Sequence, residues 1–168
     1  GIYTFQTGYR YEGEFKDNRP NGQGIFTSPN GQHYQGGFKD GKLSGKGIMN
    51  YPDGRSYEGE YKDNKRDGYG VMTLQDGSMF EEGSRYEGDW KNDKPNGQGI
   101  FTSPNGQHYQ GGFKDGKLSG KGIMNYPDGR SYEGEYKDNK RDGYGIMTYQ
   151  DGGLYQEGSR YEGEWKND

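Results

Sequence analysis

Three patterns in this chain invite a chemical reading. The pairs Glu12/Glu14, Glu58/Glu60 and Glu133/Glu135 set two carboxylates close together, as general acid/base hydrolysis requires. At i and i+2 they lie side by side on an extended strand and recur without an enclosing pocket, so they read as a solvated strand face. Gly36–Lys42 and Gly111–Lys117 fit Gly-x4-Gly-Lys, but a phosphate loop continues with Ser or Thr into a helix, and here Leu43 and Leu118 follow. These segments read as turns. His33 and His108 stand alone, 75 residues apart, without ligand partners, and no nucleophile sits beside a histidine in a catalytic pattern. No catalytic residue, metal or cofactor is expected, and the chain reads as a non-enzyme.

Two further groups suit binding. Lys39, Lys42 and Lys46 cluster with Lys62, Lys65 and Arg66 on a loop rim, copied at Lys114, Lys117, Lys121, Lys137, Lys140 and Arg141. Such a rim could meet anionic phospholipid, although Asp40, Asp63 and Asp67 sit among the cations. The second group is an aromatic series: Tyr11, Phe15, Tyr34, Phe38, Tyr57, Tyr61, Tyr86, Trp90, Tyr109, Phe113, Tyr132, Tyr136, Tyr161 and Trp165.

That series is the footprint of a repeat. Each pair belongs to a Tyr-x-Gly-x-aromatic motif, and successive motifs start 23, 23, 29, 23, 23 and 29 residues apart. Gly-x-Gly followed by Ile or Val recurs in step from Gly22 to Ile146, as does Asn-Gly or Asp-Gly from Asn30 to Asp151. A longer period lies above it: residues 20–70 and 95–145 are identical, and 71–93 and 146–168 differ at seven positions.

The elements that position these residues are strands. Tyr34, Gly36 and Phe38 share one face and Gln35 and Gly37 the other, so one face is aromatic and the other often acidic. Gly45-Lys46-Gly47 reads as a strand start, with Ile48 and Met49 entering the second strand of the unit. Tyr51-Pro52-Asp53-Gly54 and Ser28-Pro29-Asn30-Gly31 fit type I turns closed by a glycine bulge. Nothing reads as helical. The prediction is an all-β, elongated, single-layer antiparallel sheet of tandem hairpins, twisted and curved, with about 14 strands spanning roughly 65 Å. Residues 1–168 form one array.

Composition agrees. Hydrophobic residues make up 25% of the chain while aromatics make up 15%, which excludes an ordinary aliphatic-cored enzyme. No apolar run approaches the length of a membrane-spanning helix. Zero cysteines exclude disulfides and suit a reducing, cytoplasmic compartment. A net charge of −4 argues against a nucleic-acid partner. The chain starts at Gly1 and reads as an excised segment, whose targeting signals would lie outside it.

The run Tyr57-Glu-Gly-Glu-Tyr-Lys-Asp-Asn-Lys-Arg-Asp-Gly-Tyr-Gly-Val-Met-Thr, with Tyr11-Glu-Gly-Glu-Phe-Lys, resembles the consensus of the MORN (membrane occupation and recognition nexus) repeat family. The resemblance covers essentially the whole chain. It implies stacked hairpins with an aromatic-lined groove and a non-catalytic scaffold or adaptor role, in cytoskeletal, ciliary or membrane-associated settings. The sequence departs from the family where Asn21-Gly22, Ser44-Gly45 and Asp67-Gly68 replace a basic-His-Gly step, and where every third unit carries six extra residues.

The expected partner is therefore a protein, as peptide or helix, held in the aromatic groove, with anionic lipid on the basic rim as the alternative. The inserted pairs Met79-Phe80 and Leu154-Tyr155 are candidate contacts. Trp90 is expected to pack in mid-ladder and Trp165 to be half exposed. Unpaired strand edges at the two ends suggest a homodimer through Ser159–Lys166.

Overall fold

A computed structural model describes residues 1–74, 83–150 and 158–168. The inserted pairs Met79-Phe80 and Leu154-Tyr155 lie outside the described residues. The strands are β1 (Ile2–Thr4), β2 (Arg10–Lys16), β3 (Arg19–Thr27), β4 (His33–Lys39), β5 (Lys42–Asn50), β6 (Ser56–Lys62), β7 (Lys65–Thr73), β8 (Arg85–Lys91), β9 (Lys94–Thr102), β10 (His108–Lys114), β11 (Lys117–Asn125), β12 (Ser131–Lys137), β13 (Lys140–Thr148) and β14 (Arg160–Trp165). They form one antiparallel sheet whose spatial order is the chain order. Each strand pairs only with its sequence neighbours, as tandem hairpins require.

Two turn types alternate. The Pro-x-Gly turns form as the sequence predicts: the Gly31 N–H donates to Ser28 O at 3.0 Å and the Gly54 N–H to Tyr51 O at 3.0 Å. The other type is a two-residue turn at Asp17-Asn18, Asp40-Gly41, Asp63-Asn64, Asn92-Asp93, Asp115-Gly116 and Asp138-Asn139, with positive φ at both positions. This is the type I′ geometry that matches strand twist.

These I′ turns correct one sequence expectation. β5 begins at Lys42, not at Gly45, because Lys39 and Lys42 pair directly across the turn. Phe38 then faces Leu43 and Gly36 faces Gly47, so Gly37 opposes Ser44, Gly45 and Lys46 in a bulge. Gly45 sits there at φ +74°. Gly37 permits the close approach, since a Cβ on it would lie 2.2 Å from Ser44 O.

The buried hydrophobics lie on one face. Tyr11, Tyr34, Tyr57, Tyr109 and Tyr132 are almost wholly inaccessible, joined by Met72, Met124 and Met147. Each tyrosine lies flat over two glycines paired across neighbouring strands. For Tyr34 these are Gly36 and Gly47, and a Cβ on either would come within 2.5 or 2.3 Å of its hydroxyl oxygen. The ring replaces the side chains that the glycines lack and hides an otherwise bare stretch of backbone.

Gly47→Ala is therefore expected to destabilise by about 3 kcal/mol, the upper range for overfilling a packed site. Gly45→Ala, where a Cβ meets nothing within 4 Å, should cost only the left-handed backbone penalty of about 1 kcal/mol. Urea melts of the two variants check the order.

Candidate functional site

The fourteen aromatic residues named from sequence all come together, in one continuous zigzag. Tyr11 meets Phe15 and Phe38 edge to face, Tyr34 meets Phe38 and Tyr61, Tyr57 meets Tyr61 and Trp90, and Tyr86 meets Trp90 and Phe113. Tyr109 continues to Phe113 and Tyr136, Tyr132 to Tyr136 and Trp165, and Tyr161 closes on Trp165. Edge-to-face pairs match the positive ring edge to the negative ring face. The motif tyrosines are tied by their hydroxyls to the carbonyl three residues on, for example Tyr34 to Gly37 O at 3.1 Å and Tyr86 to Asp89 O at 2.9 Å.

The series thus serves first as the core. Phe15 and Tyr161 at the two ends are exposed, Trp165 is half-buried, and the other eleven are buried. Trp90 packs in mid-ladder and Trp165 is the less covered, as the sequence implies. Beside Trp90 the aromatic face keeps a cleft of about 260 Å³ bordered by Met72, Leu74, Phe101 and Phe113. Arg66 closes one side: its guanidinium lies 4.5 Å from the Trp90 ring and donates from Nε to Asp93 Oδ1 at 3.2 Å. Arg141 repeats the arrangement over Trp165, with Asp168 as its carboxylate.

Tyr61 and Tyr136 differ from their counterparts. They occupy the place of Phe38 and Phe113, and their buried hydroxyls have no hydrogen-bond partner. Burial pushes both hydroxyls strongly up from the ordinary tyrosine range. For Tyr34 and Tyr109 burial raises the pKa to about 12.

The opposite face holds residues that sequence reasoning passed over. Ile25, Ile48, Val71, Ile100, Ile123 and Ile146 alternate across the strands with Glu12, Gln35, Glu58, Glu87, Gln110, Glu133 and Glu162. Two grooves open there, of about 530 and 500 Å³. The first is lined by Ile48, Tyr69, Lys46, Glu58 and Glu60, and the second by their copies Ile123, Tyr144, Lys121, Glu133 and Glu135. Ile48 and Tyr69 are 41% and 50% exposed, and Ile123 and Tyr144 are 41% and 49% exposed. The signal was in the sequence, as Gly-x-Gly-Ile and Gly-Tyr-Gly-Val, but only the alternation of faces shows that these apolar residues are left uncovered.

The paired carboxylates prove to have divided tasks. In two of the three pairs the second carboxylate serves the backbone at the bulge, Glu14 accepting the Gln23 N–H at 3.0 Å and Glu60 that of Tyr69 at 3.4 Å, and Asp89 likewise accepts that of Gln98 at 2.9 Å. The first lines the aliphatic row, where Glu87 accepts the Tyr69 hydroxyl. That bond, with the Arg85 ion pair, holds Glu87 below the usual carboxylate range. The Gly36–Lys42 segment runs along β4 into an I′ turn, and Lys42 is ion-paired with Asp63 at 3.0 Å. His33 and His108 sit at strand starts opposite Asn50 and Asn125. No cluster of potential metal ligands exists among the described residues.

The MORN repeat model matches residues 11–33, 34–54, 57–79, 86–108, 109–129, 132–154 and 161–168. The chain belongs to the MORN-repeat family. No curated protein sequence matches it. Among solved structures, the MORN array is similar to the CPAP G-box domain (16% identity, TM-score 0.45, covering 99% of each chain). It is also similar to the Drosophila melanogaster SAS-4 TCP domain in complex with a proline-rich motif of Ana2 (15%, 0.43, 76% of this chain and 72% of that one). A third is the Danio rerio CPAP TCP10 domain in complex with a STIL peptide (15%, 0.35, 88% and 67%). No helix among the described residues is long and apolar enough to cross a membrane.

Tyr61→Phe removes a buried hydroxyl without a partner, and stability should hold or rise. Tyr34→Phe removes a made hydrogen bond and should cost about 1 kcal/mol. Raised tyrosine pKa values also fix a pH dependence. Folding favours the neutral form, so this contribution is intact below the ordinary value of 10.0 and is lost as pH rises towards about 12. Thermal melts between pH 8 and 12 should show a flat region followed by a fall above about pH 10.

Proposed function

We propose that this MORN array is a non-catalytic scaffold or adaptor module that binds protein partners on its open sheet faces. The observation that carries this reading is duplication of an uncovered groove. The same five side-chain types line the Ile48/Tyr69 and Ile123/Tyr144 grooves, 75 residues apart in the chain and therefore about 29 Å apart along the sheet. A half-exposed isoleucine and tyrosine offer apolar contact, and two glutamates against one lysine leave each groove acidic. The chemistry suits a segment with apolar and basic residues. A partner with two such segments gains from effective concentration once the first is seated.

The aromatic face supports a second contact, at the Trp90 cleft, where ring edges and the Arg66 guanidinium border an apolar hollow. The rest of the ladder is filled by its own rings. The lipid reading has less support, because Lys42 and Lys117 are engaged by Asp63 and Asp138 and the neighbouring face is acidic.

Fluorescence anisotropy with two model peptides of equal apolar content, one basic and one acidic, tests the reading. The basic peptide should bind and the acidic one should not. Ile48→Ser with Tyr69→Ser should weaken binding, and adding Ile123→Ser with Tyr144→Ser should weaken a tandem peptide roughly 100-fold, with melting temperature unchanged. Binding that ignores both grooves while phosphoinositide vesicles capture the chain would favour the lipid reading instead.

A further inference from the structure

Each of the six type I′ turns is flanked by two cations that pair directly across it, as in Lys39↔Lys42, Lys62↔Lys65 and Lys114↔Lys117. Because every strand pairs only with its sequence neighbours, these turns all fall on one long edge of the sheet, and the Pro-x-Gly turns fall on the other. All twelve flanking cations are exposed.

Charge is segregated accordingly. The six turns with their flanks hold twelve cations and six aspartates, a net +6 in 24 residues. The whole chain carries −4, so its remaining residues carry −10. Of the twelve cations, Lys42 and Lys117 are held in ion pairs, with Asp63 and Asp138. No carboxylate among the described residues lies within ion-pair distance of the other ten. Their field is felt locally: the Lys42 hydrogen bond, with Lys62 and Lys39 behind it, holds the Asp63 carboxyl below the usual carboxylate range.

The rim is also narrow. The sheet is one layer thick, and Glu60 and Asp89 stand two residues back from Lys62 and Lys91, about 7 Å along their strands. A broad polyanion, such as a bilayer surface or a nucleic-acid duplex, would bring its charge against these carboxylates. The turns hold no aromatic residue, so the rim lacks the stacking platforms that single-stranded nucleic acid uses. One polypeptide strand fits along the edge. Successive turns lie two strands apart, about 9.6 Å, and three extended residues span about 10 Å. The six turns together cover about 48 Å, the reach of about 15 extended residues.

We infer that this rim holds an extended acidic polypeptide run, laid along the edge so that its Asp or Glu side chains bridge the cation pairs of successive turns. Each turn contributes one net charge, which at an exposed site gives at most about fivefold in affinity. Length therefore decides binding. A peptide matched to one face groove reaches about two turns and stays unbound, whereas a run along all six gains up to roughly 600-fold over it. The rim is a second site, separate in place and opposite in charge from the grooves on the sheet face.

Fluorescence anisotropy of the 168-residue chain tests it, with labelled oligoglutamates of about 6 and about 18 residues, which reach about two and about six turns. In about 50 mM salt the longer peptide should bind at least 10-fold more tightly, and raising the salt should release it. Lys62→Gln with Lys91→Gln should weaken the longer peptide roughly fivefold. Arg10→Gln with Arg130→Gln removes the same charge from the opposite edge and should weaken it about twofold at most. Circular dichroism matching the parent chain confirms folding, and Lys114→Gln with Lys137→Gln replaces the first pair if that does not fold. Equal losses in the two pairs would overturn the inference, since net charge and not the rim would then hold the peptide. So would affinity independent of peptide length, or tighter binding to phosphatidylserine vesicles or to an oligouridylate of equal charge.

Discussion

One contact underlies the structure: a tyrosine ring lying across two glycines that face each other on adjacent strands. A single-layer sheet has no second layer to exclude water from its backbone. Glycine pairs alone would leave that backbone bare and the strands conformationally loose. The ring covers both glycines, and its hydroxyl anchors it to the carbonyl three residues on, as in Tyr109 to Gly112 O at 3.0 Å. Glycine is required at these positions because any Cβ would enter the ring. The chain gains from apolar burial by the ring what it gives up in aliphatic content.

The second aromatic of each motif turns these local contacts into a continuous core. Phe38, for instance, touches both Tyr11 of the preceding unit and Tyr34 of its own. Stability then propagates between neighbours, as in other linear repeats. The units are not equivalent, however. Where the sequence places Trp90, Arg66 stacks on the indole and holds Asp93, so every third junction carries a charged clamp. At Tyr61 and Tyr136 the same place is filled at the cost of an unpartnered hydroxyl.

The ladder fills most of one face, and the other is left uncovered. Its carboxylates divide between bulge amides and the aliphatic row, and its isoleucines and tyrosines remain open in the grooves. The expectation of an acidic strand face and the observation of exposed apolar groups describe the same surface. The Tyr69 hydroxyl bound to Glu87 shows the two working together.

Much of this was legible in the residues themselves. Period-two alternation in Tyr-x-Gly-x-aromatic fixes strands and the sharing of a face, Pro-x-Gly fixes one class of turn, and the 23-residue spacing fixes the array, because all three are local consequences of backbone geometry. The I′ turns at Asp40-Gly41 and Asp63-Asn64 were less visible, since two adjacent left-handed residues show no apolar signature, and so β5 begins earlier than its glycines suggest. Whether the aromatic residues line an open groove or fill it depends on how rings from successive units interlock across strands far apart in the chain, and no single repeat contains that information.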